Sequence, residues 1–400
     1  MDALRGTALV LGIALHAGLP YLPGPGIGWA VHDRSTHWLF GAGILTVHSF
    51  RLEVFFLMAG FFARLLWIRR GAKGFVLNRL VRVLVPFMAG WFLVFPSLAF
   101  AWIWGGMHGE PSAVHAALKQ AFAATRLPLL SLVHFTFLKS GFPLTHLWFL
   151  YYLLLSYAFF LAGRALLVQF AAGNSVWLSH ADRLVRALVE TRWCVVCLGL
   201  VTWLILTGMK TWGVDTPDKT FVPHVPALLL FGLMFSVGWL LHRQPDLLQV
   251  LARRWPAHLA AGLLLAIPTL FLSGYESHKD LAHLREIRWL FLLTYALMMG
   301  SWVLALPGLF VRFCSGASLF WRYLADSSYW LYIVHLPVVV ILQVIVARQA
   351  WNCGLKFGLV CGGSLLFSLI TYHYLVRPTP IGLLLNGRRH PFRWWPGAGT

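Results

Sequence analysis

The sequence predicts an all-α, polytopic membrane protein of about ten transmembrane helices with both termini in the cytoplasm. Three observations predict it. Of the 400 residues, 59% are hydrophobic and only 11% charged, with a mean hydropathy of +0.73; soluble domains of this length do not have that composition. Apolar runs of spanning length recur along the whole chain, with no internal repeat, low-complexity segment or soluble domain between them, so residues 1–400 read as a single integral-membrane domain. The basic residues fall in short loops between these runs, so the net charge of +19 reflects the positive-inside bias and not nucleic-acid binding. Twenty Trp and eleven Tyr can supply belts at both interfaces. No basic segment precedes the first apolar run, which is long enough to span, so a cleavable signal peptide is a poor reading. Of five cysteines, Cys194 and Cys197 form a CxxC, but in an apolar run without partner ligands; two small buried thiols fit better than a zinc or redox site.

The runs fall at about 3–22, 46–67, 83–104, 146–168, 193–208, 225–241, 257–273, 287–306, 327–346 and 355–376. The fifth, sixth and seventh are the shortest. Between them, 19 Lys and Arg lie on one side, from Arg64 to the tail at Arg393, and 11 on the other, from Arg34 to Lys356. The richer side is expected to be cytoplasmic. The stretch 105–145 holds an amphipathic segment and an apolar one containing Pro128. It is expected to be an outer interfacial or re-entrant segment, because a true span there would invert everything downstream. Residues 377–400 are expected to form a basic cytoplasmic tail.

The first run, Asp2 to about Leu22, holds two polar residues on one face. From Arg5 to His16 a helix turns about 1100°, some 20° past three full turns, and Leu9 and Gly12 lie near the same stripe. The pair is roughly 16 Å apart, about half of a bilayer core of about 30 Å. With Arg5 at one surface, His16 sits near mid-depth, where polar groups are costly and tend to mark function. The segment MDALRGTALVLGIALHA resembles the opening of the acyltransferase 3 family, whose first membrane helix carries an Arg, ten residues and a His. Members of that family carry acyl groups from a cytoplasmic coenzyme A thioester to a sugar outside the membrane. They usually have a few residues before this point, which leaves open whether the true start lies upstream of Met1.

The second run opens His48-Ser49-Phe50-Arg51-Leu52-Glu53. On one helix His48 and Arg51 would share a face and Glu53 would point away. Arg51 and His16 are then each a few residues inside the outer end and could meet. HSFRxxVFFLMAGFF resembles the second helix of one branch of the family, the glucans biosynthesis protein C proteins, linked to succinylation of osmoregulated periplasmic glucans. Glu53 has no counterpart in that resemblance. The third run is preceded by Arg79 and Arg82, three apart, then Pro86. Basic residues at a cytoplasmic helix start are ordinary anchors, but such a pair can also grip a phosphate. The resemblance implies that it faces the nucleotide end of coenzyme A. His146-Leu147-Trp148-Phe149-Leu150 opens the fourth run; belt aromatics are the plain reading, though HLWFL matches the same branch. The stretch 169–326 reads as scaffold, and the polar outer loop Tyr275–Arg288 could touch an acceptor. In the ninth run Asp326 or Ser327 is a plausible N-cap, His335 is near mid-membrane and Pro337 removes a backbone donor. SxxxYxxHxP there, and the closing YLVRPTPIGLLLNGRR, also resemble the branch.

These motifs lead to a membrane O-acyltransferase of the bacterial inner membrane. The donor expected is acyl-coenzyme A, with succinyl-coenzyme A favoured, as a co-substrate and not a permanently bound cofactor; the acceptor expected is a periplasmic glucan. His16 would be the general base on the acceptor hydroxyl, or would take the acyl group first. Arg51 would stabilise the oxyanion or hold the carboxylate of a succinyl donor, with His335 completing the catalytic set. Arg5, Arg79 and Arg82 would orient the donor phosphates, and His48, Trp148 and Tyr332 would bind substrate. No metal site and no nucleic-acid partner is expected, and the oligomeric state is open. The competing readings are an O-acetyltransferase of another cell-surface glycan, a secondary transporter or flippase using the buried Arg and His as a path, and a non-catalytic membrane sensor or assembly partner. The missing inverted repeat counts against transport.

Overall fold

The structure, a computed structural model, describes residues 1–24, 29–108, 142–170 and 176–391. Every regular element among them is helical. The first half contains α1 (Asp2–Gly18), α2 (Trp38–His48), α3 (Arg51–Arg79), α4 (Val85–His108), α5 (Trp148–Phe170), α6 (Val176–Glu190) and α7 (Cys194–Leu206). The second contains α8 (Val225–Arg243), α9 (Leu247–Ser273), α10 (Leu284–Phe313), α11 (Leu319–Ala347), α12 (Cys353–Thr371) and α13 (Pro380–Asn386). The apolar runs fall on helices, the second across the break between α2 and α3; α6 and α13 are additional. Among the described residues eight stretches are long and apolar enough to cross a bilayer, one of them, Trp38–Gly105, a succession of helices, and the bent pair α6–α7 would make nine. The protein is therefore an all-α polytopic membrane protein.

Three boundaries differ from expectation. The second run is not one helix with its preceding loop: α2 occupies Trp38–His48, the chain turns at Ser49 and Phe50, and α3 restarts at Arg51. His48 and Arg51 therefore sit on different helices, and Arg51 begins α3. The apolar run hides this break, because neither Ser49 nor Phe50 is a strong helix breaker. The ninth run starts earlier than Asp326, since Ser318 caps α11 by accepting from the Trp321 amide, so Asp326 lies inside the helix. The fifth run is short: α7 has 13 residues, about 20 Å, less than a bilayer core of about 30 Å. It meets the amphipathic α6 at 113°. Arg243 holds α6 with two bonds of 2.6 Å to Asp182, and Arg186 reaches Asp246 at 2.7 Å.

Helices packed in lipid gain little from hydrophobicity, so close approach depends on small side chains. The α3–α8 pair illustrates this. A side chain at Gly60 would strike the Phe235 carbonyl, and one at Gly238 would strike the Leu57 carbonyl, so the two backbones nearly touch. The other extensive pairs are α9–α10, α7–α10 and α1–α11. Polar contacts hold basic residues of both groups. Arg64 meets His242 at 3.0 Å and Arg254 donates to the Thr191 carbonyl at 2.9 Å. Lys356 donates to both oxygens of Asp33 at 2.9 and 2.7 Å, in a pair only 3% and 2% exposed. The segment expected at 105–145 lies mostly outside the described residues, as does the end of the tail from 392 onward.

Candidate active site

The site is built from two helical stripes that face each other. On α1, Arg5, Ala8, Leu9, Gly12, Leu15 and His16 recur at three- and four-residue intervals, the period of one helix face. On α11, Asp326, Tyr329, Tyr332, His335 and Leu336 do the same. Gly6 brings the two together, because a side chain there would meet Leu324. Between these stripes and α3, α4 and α5 lies a cavity of about 1250 Å³. All of Arg5, His16, His48, Arg51, Arg79, Arg82, Trp148, Tyr332 and His335 line it.

At one end are the arginines. Arg5 donates through Nη2 to the Ala325 carbonyl. Arg79 closes α3 and donates to the Tyr157 hydroxyl at 3.0 Å and to Asn78 Oδ1 at 2.6 Å. Its guanidinium carbon lies 5.3 Å from the centre of the Tyr157 ring. Arg82 belongs to a π-helical turn, Leu80–Leu84, of the kind that often marks functional positions. Pro86 has no N–H to offer the Arg82 carbonyl four residues back, and the Tyr329 hydroxyl donates to it instead at 2.9 Å. The described part of the tail returns to this end. Leu385 and Asn386 of α13 line the cavity, and Asn386 donates to the Tyr372 hydroxyl at 2.9 Å. Gly387, at φ +72°, leaves open the space in which the Arg82 guanidinium lies. The tail is thus a wall of the cavity over these residues.

Midway sit the imidazoles and Arg51. A methyl group at Gly12 would overlap Arg51 Nη1, so the guanidinium rests on the bare backbone of α1 between Arg5 and His16. The His16 ring lies between two others: Trp29, stacked at 5.8 Å and 12°, and His335, tilted at 5.5 Å. Gln343 ties this layer together, accepting from Trp29 Nε1 at 2.9 Å and donating to the His16 carbonyl at 2.9 Å. His335 Nδ1 faces the carbonyls of Tyr332 at 2.8 Å and Leu331 at 3.1 Å. Carbonyls only accept, so Nδ1 carries the proton and the neutral ring keeps its lone pair on Nε2. His48 lines the same region from the end of α2. Trp148 is 5% exposed and packs against Tyr152 and Phe231, so it touches the cavity mainly as part of the wall.

The far end is aromatic and polar. Trp29 meets Trp102 edge-on at 4.9 Å, and Thr216, Asp218 and Lys219 complete the lining. Burial pushes the Asp218 carboxyl above its ordinary range. The outer loop at Tyr275–Arg288 contributes nothing to this lining; the stretch before α8 does. Glu53 is fully buried away from the cavity. Sequence reasoning missed Trp29, Gln343, Asp326, Tyr329 and Asn386 as site residues, and it read His146 as a belt residue. For Asp326 and Tyr329 a signal existed, since both share the three-residue spacing of Tyr332 and His335. Among the described residues no group of three or more His, Cys, Asp or Glu could hold a metal ion.

A helical membrane bundle with basic side chains at one end of a cavity and paired imidazoles at its middle defines a class: a polytopic membrane protein with a partly open cavity among its helices. A family model for the acyltransferase domain matches residues 1–373, and the chain belongs to the acyltransferase 3 family. That family's model describes an acyltransferase domain. It is similar to the glucans biosynthesis protein C of Salmonella paratyphi B and of Salmonella heidelberg, 30% identical to each over 88 residues. Those matches cover 22% of this chain and 22% of each relative's length. No solved structure matches.

Proposed function

We propose that the protein moves an acyl group, succinyl in the first instance, from a cytoplasmic acyl-coenzyme A to a hydroxyl of a periplasmic glucan across a bacterial inner membrane. The observation that carries this reading is that one cavity joins Arg5, Arg79 and Arg82 at one end to His16, Arg51 and His335 at its middle. The richer basic end is the cytoplasmic one in this proposal, with both termini inside. The arginines hold the phosphates of the donor, whose acyl chain and thioester extend toward His16. The acceptor enters past Trp29, Trp102 and Asp218. His16 removes the hydroxyl proton as the oxygen attacks the thioester carbonyl. Arg51 stabilises the oxyanion, the carbon–sulfur bond breaks, and the proton passes from His16 to the departing thiolate. His48, Trp148 and Tyr332 border the substrates. The similarity to the glucan proteins supports succinyl and glucan as the pair to test first. The test is to incubate purified protein with radiolabelled succinyl-coenzyme A or acetyl-coenzyme A and a β-glucan, and to follow label into the glucan. Transfer from the succinyl donor is expected. Transfer from the acetyl donor alone would overturn the succinyl assignment, and no transfer from either would overturn the reading.

A further inference from the structure

We propose that His146 is a positioning residue of this site, whose Nε2–H replaces the backbone donor that Pro337 removes from α11 and so fixes the turn presenting Tyr332 and His335. The inference rests on the acyl-transfer reading above and adds a residue to it.

A proline inside a helix leaves the carbonyl four residues earlier without its amide partner. For Pro337 that carbonyl belongs to Ile333, two residues before the cavity-lining His335. A buried carbonyl left unpaired in this setting is costly, and the chain satisfies it from outside the helix. His146 Nε2 lies 3.2 Å from the Ile333 carbonyl and 2.9 Å from the Tyr332 carbonyl. Both partners are acceptors, so Nε2 is the protonated nitrogen. His146 Nδ1 is buried with no hydrogen-bond partner, which suits a neutral ring with a single proton on Nε2. The bond is returned: the Tyr332 hydroxyl donates to the His146 carbonyl at 2.6 Å. The Tyr332 carbonyl also accepts from His335 Nδ1, so one oxygen receives both imidazoles. The two rings are 5.1 Å apart. Moving His146 would therefore release the turn that sets the tautomer and direction of His335.

A second observation is independent of the hydrogen bonds. Thr145, immediately before His146, has φ +54°, and among the described residues it is the one non-glycine with positive φ. That conformation is unfavourable for a β-branched residue and persists where surrounding structure imposes it. Here the Leu144 amide is anchored to the Asp218 carbonyl at 2.8 Å, and the strained step aims His146 inward at α11. A belt residue would need no such step, and its ring would face the lipid interface; His146 lines the cavity.

Two nearly isosteric variants test the role. Glutamine carries its amide N–H to the place of Nε2, whereas asparagine places it near Nδ1. With the full-length protein and the radiolabelled succinyl-coenzyme A assay, His146→Asn should lower kcat about tenfold to hundredfold, with the KM of donor and acceptor little changed. His146→Gln should recover turnover to within about threefold of the parent. Thermal unfolding of both variants accompanies the kinetics, and two stable proteins that differ in kcat support the proposal. Equal activity of the two variants, whether both high or both low, overturns it, as does a loss seen in KM alone. If the parent protein transfers no label, the failure lies with the acyl-transfer reading; if the parent is active and the variants do not separate, it lies with His146.

Discussion

Gly12 governs where Arg51 can sit, because the guanidinium occupies the place of its absent side chain. Gly12→Ala adds one methyl group and gains helix propensity, so the fold should tolerate it. The expected outcome is a loss of turnover of about tenfold to a thousandfold, the range for removing an oxyanion donor. Combining it with Arg51→Ala should add little further, since both changes remove the same interaction; kcat for the two single variants and the double variant checks this. His16 makes a separate case. Its ring is held by stacking on Trp29 and contact with His335, and its Nδ1 is buried without a partner. His16→Ala should reduce acyl transfer by about two to four orders of magnitude. Donor binding should change little, because the arginines lie at the other end of the cavity. Near-normal turnover with a lowered melting temperature would instead make His16 a packing residue.

At the scale of elements, the junction of α3 and α4 carries the end of the cavity that the proposed function gives to the donor. Arg79→Ala and Arg82→Ala should each raise the donor KM roughly tenfold to hundredfold, as expected for a lost charge-assisted bond of about 1.5–3 kcal/mol. The acceptor KM should stay near its parent value, and lysine replacements should recover only part of the loss, lacking the planar fork. Steady-state kinetics with each substrate varied in turn decides this. These arginines were legible in the sequence because their spacing survives in the fold, and so was the α1 stripe, where three turns bring His16 back over Arg5. Other parts were not. The break between His48 and Arg51 is hidden in an apolar run, and α13 folds back onto Arg82 through a contact that no local pattern encodes. His146 finds its acceptor 187 residues away, at a carbonyl whose vacancy is visible in the sequence only as Pro337. Local periodicity reports which face a residue occupies; it carries no information about which distant helix completes a hydrogen bond.

Across the whole molecule one of the long-range ties is the buried pair of Asp33 and Lys356, which pins the loop after α1 to the start of α12. Removing one partner of such a pair leaves a charge stranded in an apolar setting, at a cost of about 3–5 kcal/mol. Lys356→Met should therefore lower the melting temperature more than Lys356→Met combined with Asp33→Leu, as thermal unfolding in detergent would reveal. The same architecture constrains the order of biosynthesis. Asp33 and Lys356 are separated by 323 positions in the chain, an interval of roughly 16–65 s at about 5–20 residues per second of translation. The Trp29 contact with Gln343 spans 314 positions. During that interval α1, carrying His16, has been made while His335 and Gln343 of α11, which meet it in the finished fold, have not. A chain halted before Gln343 should insert and yet transfer no acyl group, which in vitro translation into membrane vesicles with labelled donor would establish. The cavity is thus complete only when α11 joins α1, α3, α4 and α5, so a nascent chain is expected to stay inert until its synthesis is nearly finished.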